Sequence, residues 1–282
     1  MKPEAFTIGN NYRLGKLHEF DLDADQPTFN AVVMWEEPKP STDYTIGVDP
    51  SWGVGYDRAV IHVLKNGTVH NKDVQVAEFI TDDLNVHDLT PICYMLGNLY
   101  KNTTEDREAL MAVECNISDD IVNQLRNNYN YSNLFIWKFY DNIKNMWSNK
   151  LGWWTTARNR PKIIMKAVHY IKQGWWDIRS PWLINELQTI EKLEEKQRVA
   201  AAAGHHDDIA FAAFIALWSA HDVEFNDYGA IEETAKQRER KRADLLSAYD
   251  PGEVLPISKR KDFINTPCSY DDMINFEFPG SY

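Results

Sequence analysis

Tyr44-Thr-Ile-Gly-Val-Asp49 is a short apolar run, rich in residues that favour β-structure, and it ends in a carboxylate. A second apolar run, Ala-Val-Ile-His-Val-Leu, covers residues 59–64, and the Asn66-Gly67 pair behind it is the strongest short-range signal of a hairpin. Residues 68–79 then alternate between polar and apolar side chains, as a third strand would. These three segments are predicted to form an antiparallel meander.

Downstream of the meander, strand and helix patterns alternate. Short apolar runs at 110–114 and 134–137 predict a fourth and a fifth strand. The spacing of apolar residues predicts helices over 84–100, 119–129, 161–174, 183–196 and 204–220. Three strands followed by such units indicate an α/β fold, with a mixed sheet of an antiparallel meander plus parallel strands flanked by α-helices.

The chain of 282 residues is predicted to form one domain with appendages, since a domain takes about 100–200 residues. The Pro-rich end of residues 1–40 indicates a linker or N-terminal extension, and residues 41–222 make up the predicted α/β domain. Residues 223–282 combine a charged helix over 230–249 with a tail rich in Pro, Gly, Asp and Ser. A docking segment and a solvated, disordered end are equally open interpretations of that tail.

Charge and cysteine content limit the class of protein. Lys and Arg number 30 against 42 Asp and Glu, a net charge of −12, which argues against a generic nucleic-acid coating protein or a basic membrane-surface protein. The three cysteines lie far apart without disulfide or zinc spacing, so we expect a reducing compartment. We expect no secretory signal, and the longest apolar run, 209–218, is too short to span a bilayer.

Four acidic residues occupy positions that the predicted sheet brings together. Asp49 ends the first strand, Glu114 ends the fourth, and Asp207 and Asp208 open the last helix of the domain. Taken singly, each is as readily a turn residue or a helix cap. Clustered carboxylates repel one another unless a cation neutralises them, and their hard oxygen atoms suit Mg²⁺ or Mn²⁺. Two such ions about 3.5–4 Å apart would support phosphodiester cleavage.

The order strand Asp, strand Glu, helix Asp resembles that of ribonuclease H-like nucleases, and four longer motifs resemble the nuclease domain of tailed-bacteriophage terminase large subunits. The first runs from Trp35 to Asp57 and includes Tyr44-Thr-Ile-Gly-Val-Asp49-Pro-Ser-Trp-Gly53. Val113-Glu114-Cys-Asn116 resembles the second motif, and Gly152-Trp153 through Arg160-Pro161-Lys162 resembles the third. Gly204-His-His-Asp207-Asp208-Ile-Ala210 resembles the last, so that the resemblance covers about residues 35–220.

This resemblance implies an endonuclease that uses two Mg²⁺ or Mn²⁺ ions to cut concatemeric viral double-stranded DNA during genome packaging. Asp49, Glu114 and Asp207 would be the catalytic metal ligands, with Asp208 as an alternative or additional ligand. Asp57 matches an acidic position of the family near the site.

The implied partners are DNA, a packaging ATPase domain, the small terminase subunit and the portal protein, in the cytoplasm of the host cell. Members of the family usually carry an N-terminal packaging ATPase. This sequence contains no Walker A motif, so we expect no ATP hydrolysis by the chain itself.

An acidic protein that handles DNA needs a local basic patch. Residues 150–179 contain seven basic residues and one acidic residue, a local charge of +6. Arg158, Arg160 and Lys162, close to two tryptophans, are the candidate phosphate contacts; a solvated helix with core tryptophans is the alternative. No base-reading motif is present, so little sequence specificity is expected.

Two other functions remain open. An actin-like ATPase or sugar kinase shares the fold, and Gly47-Val-Asp49-Pro-Ser-Trp-Gly53 resembles its first phosphate loop, although a second Asp-x-Gly loop and a Gly-rich adenosine site are not found. A non-catalytic module of the packaging motor, which grips DNA or docks on a portal, would use the acidic residues only as caps.

Overall fold

A mixed β-sheet organises the chain, and the computed structural model describes residues 2–9, 11–50, 58–68, 70–116, 118–141, 145–193, 198–201 and 206–221. The strands of the described chain are β1 (Glu4–Gly9), β2 (Arg13–His18), β3 (Ala31–Met34), β4 (Tyr44–Asp49), β5 (Ala59–Lys65), β6 (Asp73–Thr81), β7 (Leu110–Val113), β8 (Ile136–Asp141), β9 (Met146–Leu151), β10 (Trp176–Asp177), β11 (Ile190–Leu193) and β12 (Arg198–Ala201), of which β8–β9 and β11–β12 form two hairpins separate from the main sheet. Its helices are α1 (Val86–Leu99), α2 (Asp120–Asn127), α3 (Arg160–Lys172), α4 (Pro181–Thr189) and α5 (Asp208–Ala220).

The main sheet has the strand order β2-β1-β3-β6-β5-β4-β7, with β10 parallel beside β6. β4, β5 and β6 pair antiparallel, and β7 lies parallel to β4. The predicted meander is therefore confirmed, and the order β6-β5-β4-β7 is that of a ribonuclease H-like sheet. Helices cover both faces, with α1 and α2 on one and α3, α4 and α5 on the other, so the predicted fold class is confirmed.

The approach of α5 to β4 fixes the relative position of the two elements. A Cβ atom on Gly47 would lie 2.0 Å from the carbonyl oxygen of Ala212 and 2.6 Å from the amide nitrogen of Ala216. A residue with a side chain would thus push helix and strand apart. Because Gly47 lies two residues before the end of β4 and Ala212 one turn after the start of α5, this contact brings Asp49 close to the first residues of the helix.

The first 40 residues extend the sheet. β3 pairs antiparallel with β6, and β1 pairs with both β3 and β2. The linker interpretation of residues 1–40 is therefore corrected: Ala31-Val-Val-Met34 is buried throughout, and its backbone satisfies the edge of β6.

The helix predicted over 183–196 ends earlier than expected, and the helix predicted over 204–220 begins later. The helix predicted over 183–196 is wrong beyond Thr189, because Ile190 has an extended backbone, with ψ of 116°, and starts the antiparallel hairpin β11–β12. α5 begins at Asp208. The predicted start at 204 and the predicted helix over 230–249 lie outside the described residues. No helix in the described part of the chain has both the length and the apolar character needed to cross a bilayer.

Candidate functional site: an acidic cluster at the end of the sheet

Asp49 and Glu114 stand side by side because they follow two neighbouring parallel strands. Val48 of β4 is in register with Val113 of β7, and the amide of Glu114 donates a hydrogen bond of 2.8 Å to the carbonyl of Val48. The two side chains meet at the carboxyl ends of their strands, and the charge of Glu114 acts on the Asp49 carboxyl group. The pair predicted from the sequence is thus formed.

The first residues of α5 add two more carboxylates. Asp207 is the N-cap residue and Asp208 is the first residue of the helix. Burial, followed by the charges of Glu114, Asp208 and Asp207 in that order, raises the pKa of Asp49 well above its usual range. The structure therefore brings all four acidic residues into one electrostatic cluster, which we call the acidic cluster.

Arg160 is the basic residue that enters this cluster. Its guanidinium forms an ion pair with the carboxylate of Asp207 and lies 4.5 Å from the centre of the Phe211 ring. Arg160 begins α3, and Thr156 sets that start by accepting the amides of Asn159 and Arg160, on its hydroxyl and its carbonyl respectively. Arg160, one of the three predicted phosphate contacts, is therefore paired with a carboxylate of the cluster.

The segment before α3 is attached directly to the end of β7. Asn116 forms reciprocal hydrogen bonds of 2.6 Å with the amide and carbonyl of Thr155. Gly152 has a φ of +77°, and a Cβ atom there would lie 2.2 Å from the sulfur of Cys115. Gly152 is thus needed both for its backbone conformation and for its close approach to β7. These contacts fix the position of Arg160 relative to Glu114.

The other residues of the basic segment do not form a single surface. Arg158 is exposed and Lys162 is half-buried, whereas Lys166 is buried and donates to the carbonyl of Trp218. Trp153 is fully buried in the core, as the alternative of core tryptophans predicts. The seven basic residues are therefore dispersed: Arg179 pairs with Glu36, and Lys150 and Lys172 are exposed elsewhere on the segment.

Glu186 and Arg58 lie beside the acidic cluster and were not predicted. Glu186 of α4 is 7% exposed and accepts a hydrogen bond of 3.0 Å from the amide of Ala210. Its other oxygen lies 3.5 Å from Nη1 of Arg58, and the backbone amide of Arg58 donates to Asp208. Burial, together with the charge of Asp208, raises the pKa of Glu186 to about 7, against the lowering effect of the Ala210 amide and of Arg58.

A sequence signal for Glu186 existed. The residue lies among Trp182, Leu183 and Leu187 on the buried face of α4, where a charged side chain requires a partner. For Arg58 we find no such signal.

The donor set of the acidic cluster matches a hard divalent cation. Four carboxylates share one paired guanidinium, that of Arg160, and carboxylate oxygens are the ligands that Mg²⁺ and Mn²⁺ prefer. As the described side chains stand, no group of three or more His, Cys, Asp or Glu residues is arranged around a common metal position. Asp57 lies outside the described residues, as do its neighbours 51–56.

No protein-family model and no curated protein matches the chain. Among solved structures, the chain is similar to the large terminase nuclease of the thermophilic phage G20c, with 16% identity and a TM-score of 0.48 over 66% of this chain and 86% of that one. A structure of the same nuclease with bound magnesium gives the same identity and TM-score over 66% and 85%. The large terminase nuclease domain of Thermus phage P74-26 is similar over 70% and 90%, with 14% identity and a TM-score of 0.48. These similar structures are all large terminase nucleases.

Proposed function

We propose that the chain is a divalent-metal-dependent endonuclease that cuts viral double-stranded DNA during genome packaging. The observation that carries this proposal is the acidic cluster, in which the ends of β4 and β7 and the start of α5 bring four carboxylates together. Such a concentration of negative charge is unfavourable without a cation and has no role in the packing of the core. A cluster of carboxylates supplies the donor atoms that metal-assisted phosphodiester hydrolysis uses, which supports the proposal.

The side chains of the cluster divide into ligands and a phosphate contact. Asp49, Glu114 and an aspartate of α5 would hold two Mg²⁺ or Mn²⁺ ions, which when bound would activate a water molecule and stabilise the leaving oxygen. Arg160 carries its positive charge to the edge of the cluster. Its planar guanidinium suits a phosphate oxygen of the scissile strand, which the carboxylates alone would repel.

Asp208 is supported more strongly than Asp207 as the ligand from α5. The charge of Asp208 raises the pKa of Asp49 more than that of Asp207 does, and the Asp207 carboxylate is paired with Arg160. Spacing alone does not distinguish these two adjacent aspartates, and the resemblance implied Asp207. We retain both as ligands and assign the larger loss of activity to substitution of Asp208.

The DNA and its packaging machinery are part of the same proposal. Arg158, exposed near the start of α3, and Lys162, half-buried on its first turn, would contact the phosphate backbone beside Arg160. A packaging ATPase domain, the small terminase subunit and the portal protein are the proposed protein partners, and the cytoplasm of the host cell is the proposed compartment.

A plasmid-cleavage assay with a matched pair of variants tests this function. Asp43 immediately precedes β4 and Asp49 ends it, and Asp43 pairs with Arg107 at the opposite end of the strand from the cluster. Asp49→Asn is expected to abolish nicking and linearisation of supercoiled DNA in Mn²⁺ or Mg²⁺, whereas Asp43→Asn cleaves like the wild type. Cleavage by wild type in EDTA, or undiminished cleavage by Asp49→Asn, would contradict the proposal.

A non-catalytic DNA-binding module is the second candidate. It is favoured by one observation, the ion pair between Arg160 and Asp207, which neutralises part of the cluster without a metal. DNA binding by the wild type without cleavage in either metal would support that function over the nuclease. Phosphate release from ATP, measured in the same samples, would support the actin-like alternative.

A further inference from the structure

Glu186 of α4 touches the start of α5 and does not belong to the acidic cluster. We infer that Glu186 is a positioning residue: it caps α5 from the neighbouring helix and thereby keeps the carboxylates of Asp207 and Asp208 directed into the acidic cluster. The inference deepens the proposed nuclease function and rests on it.

The amides at the start of α5 are satisfied in an unusual way. An aspartate at the N-cap position ordinarily accepts hydrogen bonds from the amides two or three residues further on. Asp207 holds this position but makes no such bond. Glu186 accepts instead from the second of these amides, that of Ala210, at 3.0 Å. A side chain from another helix has therefore taken over the role of the cap.

This exchange determines where the two aspartates point. With the Ala210 amide occupied by Glu186, the Asp207 carboxylate extends to Arg160, and the Asp208 carboxylate accepts the amide of Arg58 at 3.2 Å. Both charges act on Asp49. Without Glu186, Asp207 would be the nearest acceptor for the exposed amides, and its carboxylate would turn back onto its own helix.

A second contact, with Arg58, links Glu186 to Asp208 at the start of α5. The Oε1 atom of Glu186 is buried, makes no hydrogen bond within the described part of the chain, and lies 3.5 Å from Nη1 of Arg58. The backbone of Arg58 holds Asp208. Glu186 thus acts on Asp208 both through the start of α5 and through Arg58. Experiment has to separate the effect of its negative charge from the effect of its hydrogen bond to the helix.

Two conservative variants separate these roles. Glu186→Gln keeps the length and one acceptor oxygen but loses the charge, whereas Glu186→Asp keeps the charge but is one methylene shorter and does not reach the amides. We expect Glu186→Gln to bind Mn²⁺ within about threefold of wild type and Glu186→Asp to bind it about 10–100-fold more weakly, the range typical of residues that orient metal ligands.

The measurement is a calorimetric titration of the full chain with Mn²⁺, accompanied by plasmid cleavage at saturating metal. The control is Asn85→Ala, which removes the side-chain cap of α1 on the opposite face of the sheet. It is expected to lower the melting temperature and to leave Mn²⁺ affinity unchanged. Weak binding by Asn85→Ala would show that any loss of a helix cap disturbs the site, and would overturn the inference.

The remaining outcomes also test the positioning role of Glu186. Weak binding by Glu186→Gln alone would mean that the charge matters and the cap does not, and weak binding by both variants would overturn the inference that capping alone positions the aspartates. Wild-type affinity in both variants would mean that Glu186 has no positioning role. A wild-type chain that neither binds Mn²⁺ nor cleaves DNA would overturn the proposed function itself, whereas a wild type that does both, with unaffected Glu186 variants, overturns this inference alone.

Discussion

Replacing Glu78 by Gln is expected to remove a large pH dependence from the stability of the fold. Glu78 lies on β6 with no exposed surface, between the hydroxyl of Ser180 and the amide of Gln75, which donate to it at 2.8 Å and 3.0 Å. Burial and the nearby charge of Glu186 raise its pKa to about 8, although the two hydrogen bonds act in the opposite direction. The folded protein therefore holds a proton on Glu78 at pH values where the unfolded chain has lost it.

The size of the effect follows from the two pKa values. The ordinary value is 4.5 and the folded value is about 8, and at about 1.4 kcal/mol per pH unit the difference amounts to about 5 kcal/mol. Because the folded state binds more protons, this stability is complete below pH 4.5, declines as the pH rises, and is gone above about pH 8. A small domain has about 5–15 kcal/mol in total, so the loss is large.

Urea unfolding of wild type and Glu78→Gln at pH 5, 6.5 and 8 measures the stability that depends on the protonation of Glu78. The difference between the two proteins isolates Glu78, because groups common to both largely cancel. Gln is neutral at every pH, so the variant should gain about 3.5 kcal/mol relative to wild type between pH 5 and pH 8, the part of the full effect that falls within this range. A difference that changes by less than about 1 kcal/mol over this range would refute the reasoning.

Three further perturbations follow from contacts elsewhere in the fold. Gly47→Ala places a Cβ atom 2.0 Å from the carbonyl oxygen of Ala212 and is expected to cost about 3 kcal/mol in thermal unfolding and to weaken Mn²⁺ binding; an unchanged melting temperature would contradict the packing of β4 against α5. Burial would raise the pKa of Glu36, but hydrogen bonds from Lys65 and other neighbours lower it to about 2. The stability lost in Glu36→Gln should therefore be about 2 kcal/mol at pH 7 and should shrink as the pH falls from 4.5 toward 2, as urea unfolding at pH 3 and 7 would show. Arg160→Gln should reduce the slope of log affinity for DNA against log salt by about 0.9, measured by filter binding from 50 to 200 mM salt, and an unchanged slope would exclude a phosphate contact.

The parts of the site that the sequence predicted depend on local patterns. Asp49 and Glu114 each end a short apolar run, and the position of a strand end within a sheet follows from the order of strands and helices. The start of α5 was recognisable because a long apolar stretch follows Asp208. Where residues adjacent in sequence set the structure, prediction succeeded.

The parts that were missed depend on contacts between distant segments. Glu186 caps a helix 24 residues away, and Arg160 pairs with Asp207, 47 residues away; no spacing rule connects such residues. The extension of the sheet by residues 1–40 depends on β3 finding the edge of β6. The hairpin that replaces the end of the predicted 183–196 helix follows from pairing with a strand that begins only at Arg198.

The central claim is that the carboxylates at the ends of β4 and β7 and at the start of α5 form a metal site. Anomalous diffraction at the manganese edge from crystals soaked in Mn²⁺ tests it most directly. We expect a peak bonded to carboxylate oxygens of Asp49 and Glu114 and to an aspartate of α5, absent from crystals of Asp49→Asn. Manganese peaks only at other surface carboxylates, with none at the acidic cluster, would contradict the account.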